Sequence, residues 1–154
     1  ISWAQKDFNA ALKYLERPLK ISLQFSDSGY YIKYISNTGI YYTELKQFDN
    51  AISSYKKAIN HSESQLFPKE TLGAIIGLAE TYIMINDLTV AEKWLKEALQ
   101  LSAVTSNERA TINAKGFIGD IYLLQEKYSE LISFHCLYNN ALEEIPAVFH
   151  NKTL

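Results

Sequence analysis

Apolar and small residues recur along this chain at helical steps, and the pattern itself recurs. Gly39 to Tyr42, and Ala51 to Tyr55 to Ala58, are steps of three and four residues, with Phe48 between the two sets. Such steps put each set on one helix face, so residues 37–59 predict two amphipathic helices joined at Lys46-Gln47. Forty residues on, the same places hold Ala79, Tyr82, Leu88, Ala91, Leu95 and Ala98. Forty further they hold Gly119, Tyr122, Tyr128, Leu131, His135 and Tyr138, and forty earlier only Phe8, Ala11, Leu15 and Pro18 remain. A fixed period of this size, with a helix pair in each unit, is the signature of a solenoid. The expected fold is all-α: a right-handed α-solenoid of helix hairpins, three pairs plus a leading half-pair. Its units are 1–26 (partial), 27–66, 67–105 and 106–146, in a single repeat domain over 1–154.

Local signals place the individual elements. Residues 1–6 read as the stub of a truncated helix, which makes the chain a piece of a longer protein, and 8–25 as the second helix of that broken pair. Pro18 lies inside it, where the loss of a hydrogen bond and a clash with the preceding turn predict a kink or a restart. Asp27 and its serine neighbours supply N-cap oxygens for a helix over roughly 30–45, followed by one over 48–62. Pro68 suits the first position of a helix over 68–85, with Glu70 in its first turn. Asn86-Asp87 turns into a helix over 88–102. Thr105 and Glu108 have capping-box spacing and predict a helix from about 106 to 124. A last helix over 128–144 stops before Pro146. Within each pair the spacing is tight, so the surplus that lengthens the unit falls between pairs, near 61–68 and 101–108.

Composition narrows the function classes. A hydrophobic share of 47% with 21% charged residues belongs to a globular chain and not to a disordered one. No apolar run approaches the ~18 residues that a membrane span needs. A net charge of −2 leaves no nucleic-acid footprint. The lone Cys136 excludes an internal disulfide and points to a reducing, cytoplasmic setting. Phosphate loops, nucleophile elbows and metal-ligand spacings are absent. His135 and Cys136 are neighbours on a helix and point about 100° apart, so joint ligation is poor. His135 stands at an aromatic core position and reads as a partly buried structural histidine. The expectation is no enzyme, no cofactor and no metal.

The small–aromatic–Ala–aromatic–Ala order of Gly39, Tyr42, Ala51, Tyr55 and Ala58 resembles the tetratricopeptide repeat. Ala79, Tyr82, Ala91 and Ala98 match in the next unit with Leu95 in place of the aromatic, and Gly119 and Tyr122 match in the third. The period of 40 exceeds the family's usual unit of about 34. The long unit and the Lys- and Tyr-rich style are similar to the Rap phosphatases and related bacterial peptide-pheromone regulators, in which such a domain grips a signalling peptide and moves an effector domain. Generic assembly scaffolds and self-association modules use the repeat as well.

The resemblance implies ligand contacts on the concave face, from the first helix of each pair. Carried onto this chain, the candidate ligand-binding residues are Lys33, Asn37, Glu44, Glu80, Met84, Asn113, Phe117 and Asp120. Asn37 and Asn113 could bond an extended peptide backbone in both directions, while Glu80 and Asp120 favour a basic group. Gly73 and Gly77 read either as a smooth groove floor or as a close helix contact. Ser36, Ile40, Gly77, Asn113 and Phe117 depart from the carboxylate-clamp residues of tetratricopeptide co-chaperones. The implied partner is a peptide or a protein. Apolar surface around Phe8, Leu12 and Leu15 also allows a homodimer through the N-terminal half-pair.

Overall fold

Residues 3–61 and 63–139 are described by the computed structural model. Among them are seven α-helices, one 3-10 turn and no strand: α1 (Trp3–Gln24), α2 (Ser28–Glu44), α3 (Phe48–Ile59), α4 (Pro68–Met84), α5 (Leu88–Val104), α6 (Glu108–Leu124) and α7 (Tyr128–Asn139). The fold is all-α and built of repeated helix hairpins, as the 40-residue period requires. The chain divides into two compact units, Ile1–Ile118 and Gly119–Leu154.

In the first unit α1 packs on α2, α2 on both α3 and α4, α3 on α4, and α4 on α5. The repeat positions are the core: Ala51, Ala58, Ala79, Ala91, Leu95 and Ala98 are completely buried and Tyr55 nearly so. Ile32, Ile35, Ala74 and Leu78 close around Tyr55 and the alanines of α3, with Leu19, Tyr42, Phe67, Tyr82 and Trp94 packed at the edge. In the second unit Leu131 of α7 approaches Gly119 of α6, where an added Cβ would lie 3.7 Å from it. Tyr122 meets Phe134 edge to face at 5.9 Å.

Five helices end in the same way. Ser26, Lys46, Asn86, Ser106 and Glu126 all have positive φ, between 50° and 64°. In each case the next residue's N–H returns to a carbonyl five residues back, as Gln47 does to Tyr42 at 2.8 Å and Asp87 to Tyr82 at 2.9 Å. This is the Schellman ending, which satisfies the last carbonyls of a helix and reverses the chain. It recurs every twenty residues except where α3 passes to α4. There the chain takes the longer path through a 3-10 turn at Ser64–Leu66.

Several boundaries differ from the sequence expectations. From Trp3 on, the expected stub is continuous with the helix expected at 8–25, and α1 runs through Pro18 without a restart. Leu19 packs against the core and Ser22 is buried, so tertiary contacts on the C-terminal side outweigh one lost hydrogen bond. Thr105 does not open a capping box. It is the C-cap of α5, with its hydroxyl bonded to the Leu101 carbonyl at 3.0 Å. Asn107 caps α6 instead, accepting from the Ala110 N–H at 3.1 Å. Asp27 caps α2 as expected, through the Tyr30 N–H, and Asp87, read from the sequence only as part of a turn, caps α5 through the Val90 N–H. The surplus residues of the repeat are not always loop. After α3 they form a connection from Asn60 to Phe67, whereas α5 absorbs them as an extra turn and a half of helix reaching Val104. The expected end of the last helix at 144 and the tail at 147–154 lie outside the described residues.

Ala51 and Ala91 have no accessible surface, and growth at either must displace a neighbouring helix. Ala51→Leu and Ala91→Leu are each expected to cost about 1–3 kcal/mol through overpacking. Thermal melts of both variants check this, and unchanged melting would show the helix crossings to lie elsewhere.

Candidate functional site

Tyr55 joins the two inner hairpins. It projects from α3 into the space between α2 and α4, where two glycines admit it. A Cβ on Gly39 would stand 2.7 Å from the ring, and one on Gly77 2.6 Å from its outer end. Of the two glycine readings, Gly77 is therefore a close helix contact. Gly73 has nothing within 4 Å of an added Cβ and lies exposed, and Gly116 is equally open.

The tip of Tyr55 ends in a buried polar cluster. Thr43 Oγ1 lies 3.0 Å from the Gly39 carbonyl and 3.0 Å from Thr81 Oγ1, and Thr81 donates to the Gly77 carbonyl at 2.8 Å. The Tyr55 hydroxyl shares a hydrogen bond with Thr43. Burial pushes the Tyr55 phenol up to about 12, opposed by the Thr43 bond and reinforced by the charges of Glu80 and Glu44. Desolvation raises the Glu80 carboxyl above the ordinary carboxylate value, and the negative charge of Glu44 raises it further. Two carboxylates and a phenol thus share the end of the α2–α4 seam. Among the described residues no basic group forms an ion pair with Glu80, whereas Lys96 pairs with Glu92 at 2.6 Å.

The outward stripes of the first helices carry most of the candidates. On α2, Lys33 and Glu44 are exposed, and Lys33 Nζ sits 6.0 Å over the Tyr30 ring. On α4, Met84 is exposed and Glu80 half-buried. On α6, Asn113 is exposed and Phe117 half-buried, both in the first unit; Asp120 is exposed in the second. Asn37 is half-buried and holds the repeat place of Gly77, whose counterpart faces another helix instead of the open stripe. Ser36 is buried and donates to the Ile32 carbonyl at 2.6 Å, so it offers a ligand nothing. Glu44 lies near enough for its negative charge to act on Glu80.

The tetratricopeptide-repeat family model matches residues 34–63. This segment carries a tetratricopeptide repeat. No curated protein matches it. The matched segment holds most of α2 and all of α3, the hairpin in which the five repeat positions are complete. A tetratricopeptide repeat suggests a protein-interaction module. No group of three or more His, Cys, Asp or Glu able to hold a metal occurs among the described residues. No helix of the described residues is long and apolar enough to cross a membrane. His135 is half-buried beside Phe134, at 6.4 Å between rings, and Cys136 is exposed.

The Thr43–Thr81–Tyr55 cluster was not among the residues singled out from the sequence. Its threonines are 38 apart, out of phase with the period of 40, so repeat alignment does not pair them. The available signal was the Tyr55 ring itself, set between two glycines of adjoining first helices.

Proposed function

We propose that the protein binds an extended peptide, or a peptide-like segment of a protein partner, along the exposed stripes of α2, α4 and α6, without catalysis. The observation that carries the reading is the half-buried Glu80 beside Glu44. A carboxylate held above its ordinary value by burial and by a like charge gains from a cation, so a Lys or Arg side chain of the ligand belongs at this end of the α2–α4 seam. Met84 and Ile40 supply exposed apolar surface next to it. Asn113 and Lys33 offer groups that can meet a peptide backbone or its side chains. The setting that fits best is the sensing part of a bacterial, cytoplasmic regulator that responds to a signalling peptide; assembly scaffolding is the second reading. A separate face on α1 is available for association of two copies.

Fluorescence anisotropy with labelled Lys- and Arg-bearing peptides, and with acid-substituted versions of the same peptides, tests the assignment. The basic set should bind and the acidic set should not. Glu44→Gln with Glu80→Gln should weaken binding without lowering stability, since it removes a repulsive pair. Asn113→Ala should cost about 1 kcal/mol of affinity if it holds the backbone. Affinity unchanged in all these variants, or protection mapping to the outer faces of α3 and α5, would sink the groove.

A further inference from the structure

The surplus residues of two successive units face each other across one cleft in the first compact unit. After α3 they form the connection from Asn60 to Phe67, and in α5 they form the extra turn and a half up to Val104. The cleft between them measures about 580 Å³, a volume usual for small-ligand pockets. Ser64 and Gln65 of the connection stand on one side, and Glu97, Leu101 and Val104 of α5 on the other. Ile59 at the end of α3 and the buried Ile75 of α4 close it with apolar surface. A tetratricopeptide unit of about 34 residues has the length for neither the connection nor the added helix. The connection is also tied down. Its Ser64 carbonyl accepts from the Thr71 hydroxyl of α4 at 2.9 Å and from the Phe67 N–H at 3.1 Å.

We propose that this cleft binds a small amphiphilic cation, an amine carried on an apolar body, at one site per chain. The apolar body is matched by Ile59, Ile75, Leu101 and Val104, the last of them 80% exposed and so able to lose much surface to a ligand. Charge selects the other end. Among the described residues, the one charged side chain in the walls is Glu97, which is exposed and in no ion pair. A carboxylate only accepts hydrogen bonds and an ammonium group only donates them, so the two are complementary. The Gln65 amide across the cleft offers a further acceptor. The corresponding cleft one repeat earlier supports the choice by contrast. It measures about 620 Å³ and has Tyr31, Lys57 and His61 at the places of Thr71, Glu97 and Leu101. Lys56 and Lys57 outweigh Asp49 in its lining, so it repels an ammonium group, and His61 takes the place of an apolar contact. The cation therefore belongs to the later cleft alone.

Titration of the full chain with phenylbutylamine, followed by methyl and amide NMR, tests the assignment. Saturation is expected with a dissociation constant on the order of 1 mM, as a ligand of this size allows. The resonances that move should be those of Ile59, Ile75 and Leu101. Phenylbutyrate has the same body and the opposite charge, and should bind about fivefold or more weakly. Glu97→Gln alters an exposed side chain, so the fold should persist while most of the preference for the amine is lost. Failure to saturate overturns the proposal, and so do shifts confined to the α2–α4 seam around Glu80 and Met84. Equal binding of amine and acid, or a preference that survives Glu97→Gln, overturns it as well.

Discussion

Gly39→Ala and Gly77→Ala should each destabilise the protein by about 1–3 kcal/mol, although alanine favours a helix over glycine by about 1 kcal/mol. The Tyr55 ring lies between the two glycines and is 2% exposed. A methyl on Gly77 would meet its outer end at 2.6 Å, and one on Gly39 would meet its side at 2.7 Å. Withdrawal from one glycine drives the ring toward the other, so rotation cannot absorb either methyl, and α2 and α4 must separate. The chain contains its own control. In the next unit Ala79 and Leu95 hold the places of Gly39 and Tyr55, and both are completely buried. Gly39→Ala should therefore cost little in a Tyr55→Leu background. Urea unfolding of the two single variants and the double variant gives the coupling, expected at about 1 kcal/mol or more. Zero coupling would mean that the ring does not set the approach of the helices.

Alkaline unfolding should report the same residue. The phenol of Tyr55 is raised from 10.0 to about 12 in the folded protein. Its folded value exceeds its unfolded one, so folding favours the neutral phenol. That contribution is fully present below pH 10 and is lost as pH rises from 10 through 12. Two units correspond to about 2–3 kcal/mol, and a ring this deeply buried is little screened by solvent. Stability measured by urea titration at pH 9 and pH 11.5 should fall across the interval in the parent. Tyr55→Phe cannot ionise and should flatten that part of the fall, while losing a hydrogen bond worth about 1 kcal/mol at neutral pH. Equal slopes in the two proteins would place the ionising group elsewhere.

Much of the architecture is legible in single residues. Asp27 announces a helix start, because a short acceptor before an apolar periodic run meets otherwise unpaired N–H groups. Pro68 marks the start of α4 for a similar reason, having no N–H to lose. The misread boundaries have physical causes also. Thr105 and Glu108 have the right separation for a capping box, but spacing does not reveal that Thr105 closes α5 as its C-cap, at φ −88° and ψ −2°. Pro18 carries a real local penalty, which α1 withstands through contacts that only the folded chain makes. Among the candidate site residues, Lys33, Glu44, Met84 and Asn113 lie exposed as their helix positions imply. Asn37 is turned by its repeat register toward the neighbouring slot.

The sequence by itself determined the all-α class, the 40-residue unit and the burial of the small residues at the helix crossings, such as Ala51 and Ala91. Each follows from side-chain size and spacing along a helix, which are local quantities. Tertiary structure alone decided how the surplus residues were spent, as helix in α5 and as a bent connection after α3. It also decided that one tyrosine would occupy the gap left by two glycines, and that Thr43 would find Thr81 across a seam out of phase with the repeat. The charge environment of Glu80 arose there as well. Contacts between helices depend on their rotation and separation, and those are fixed only when all the neighbouring side chains have found room together.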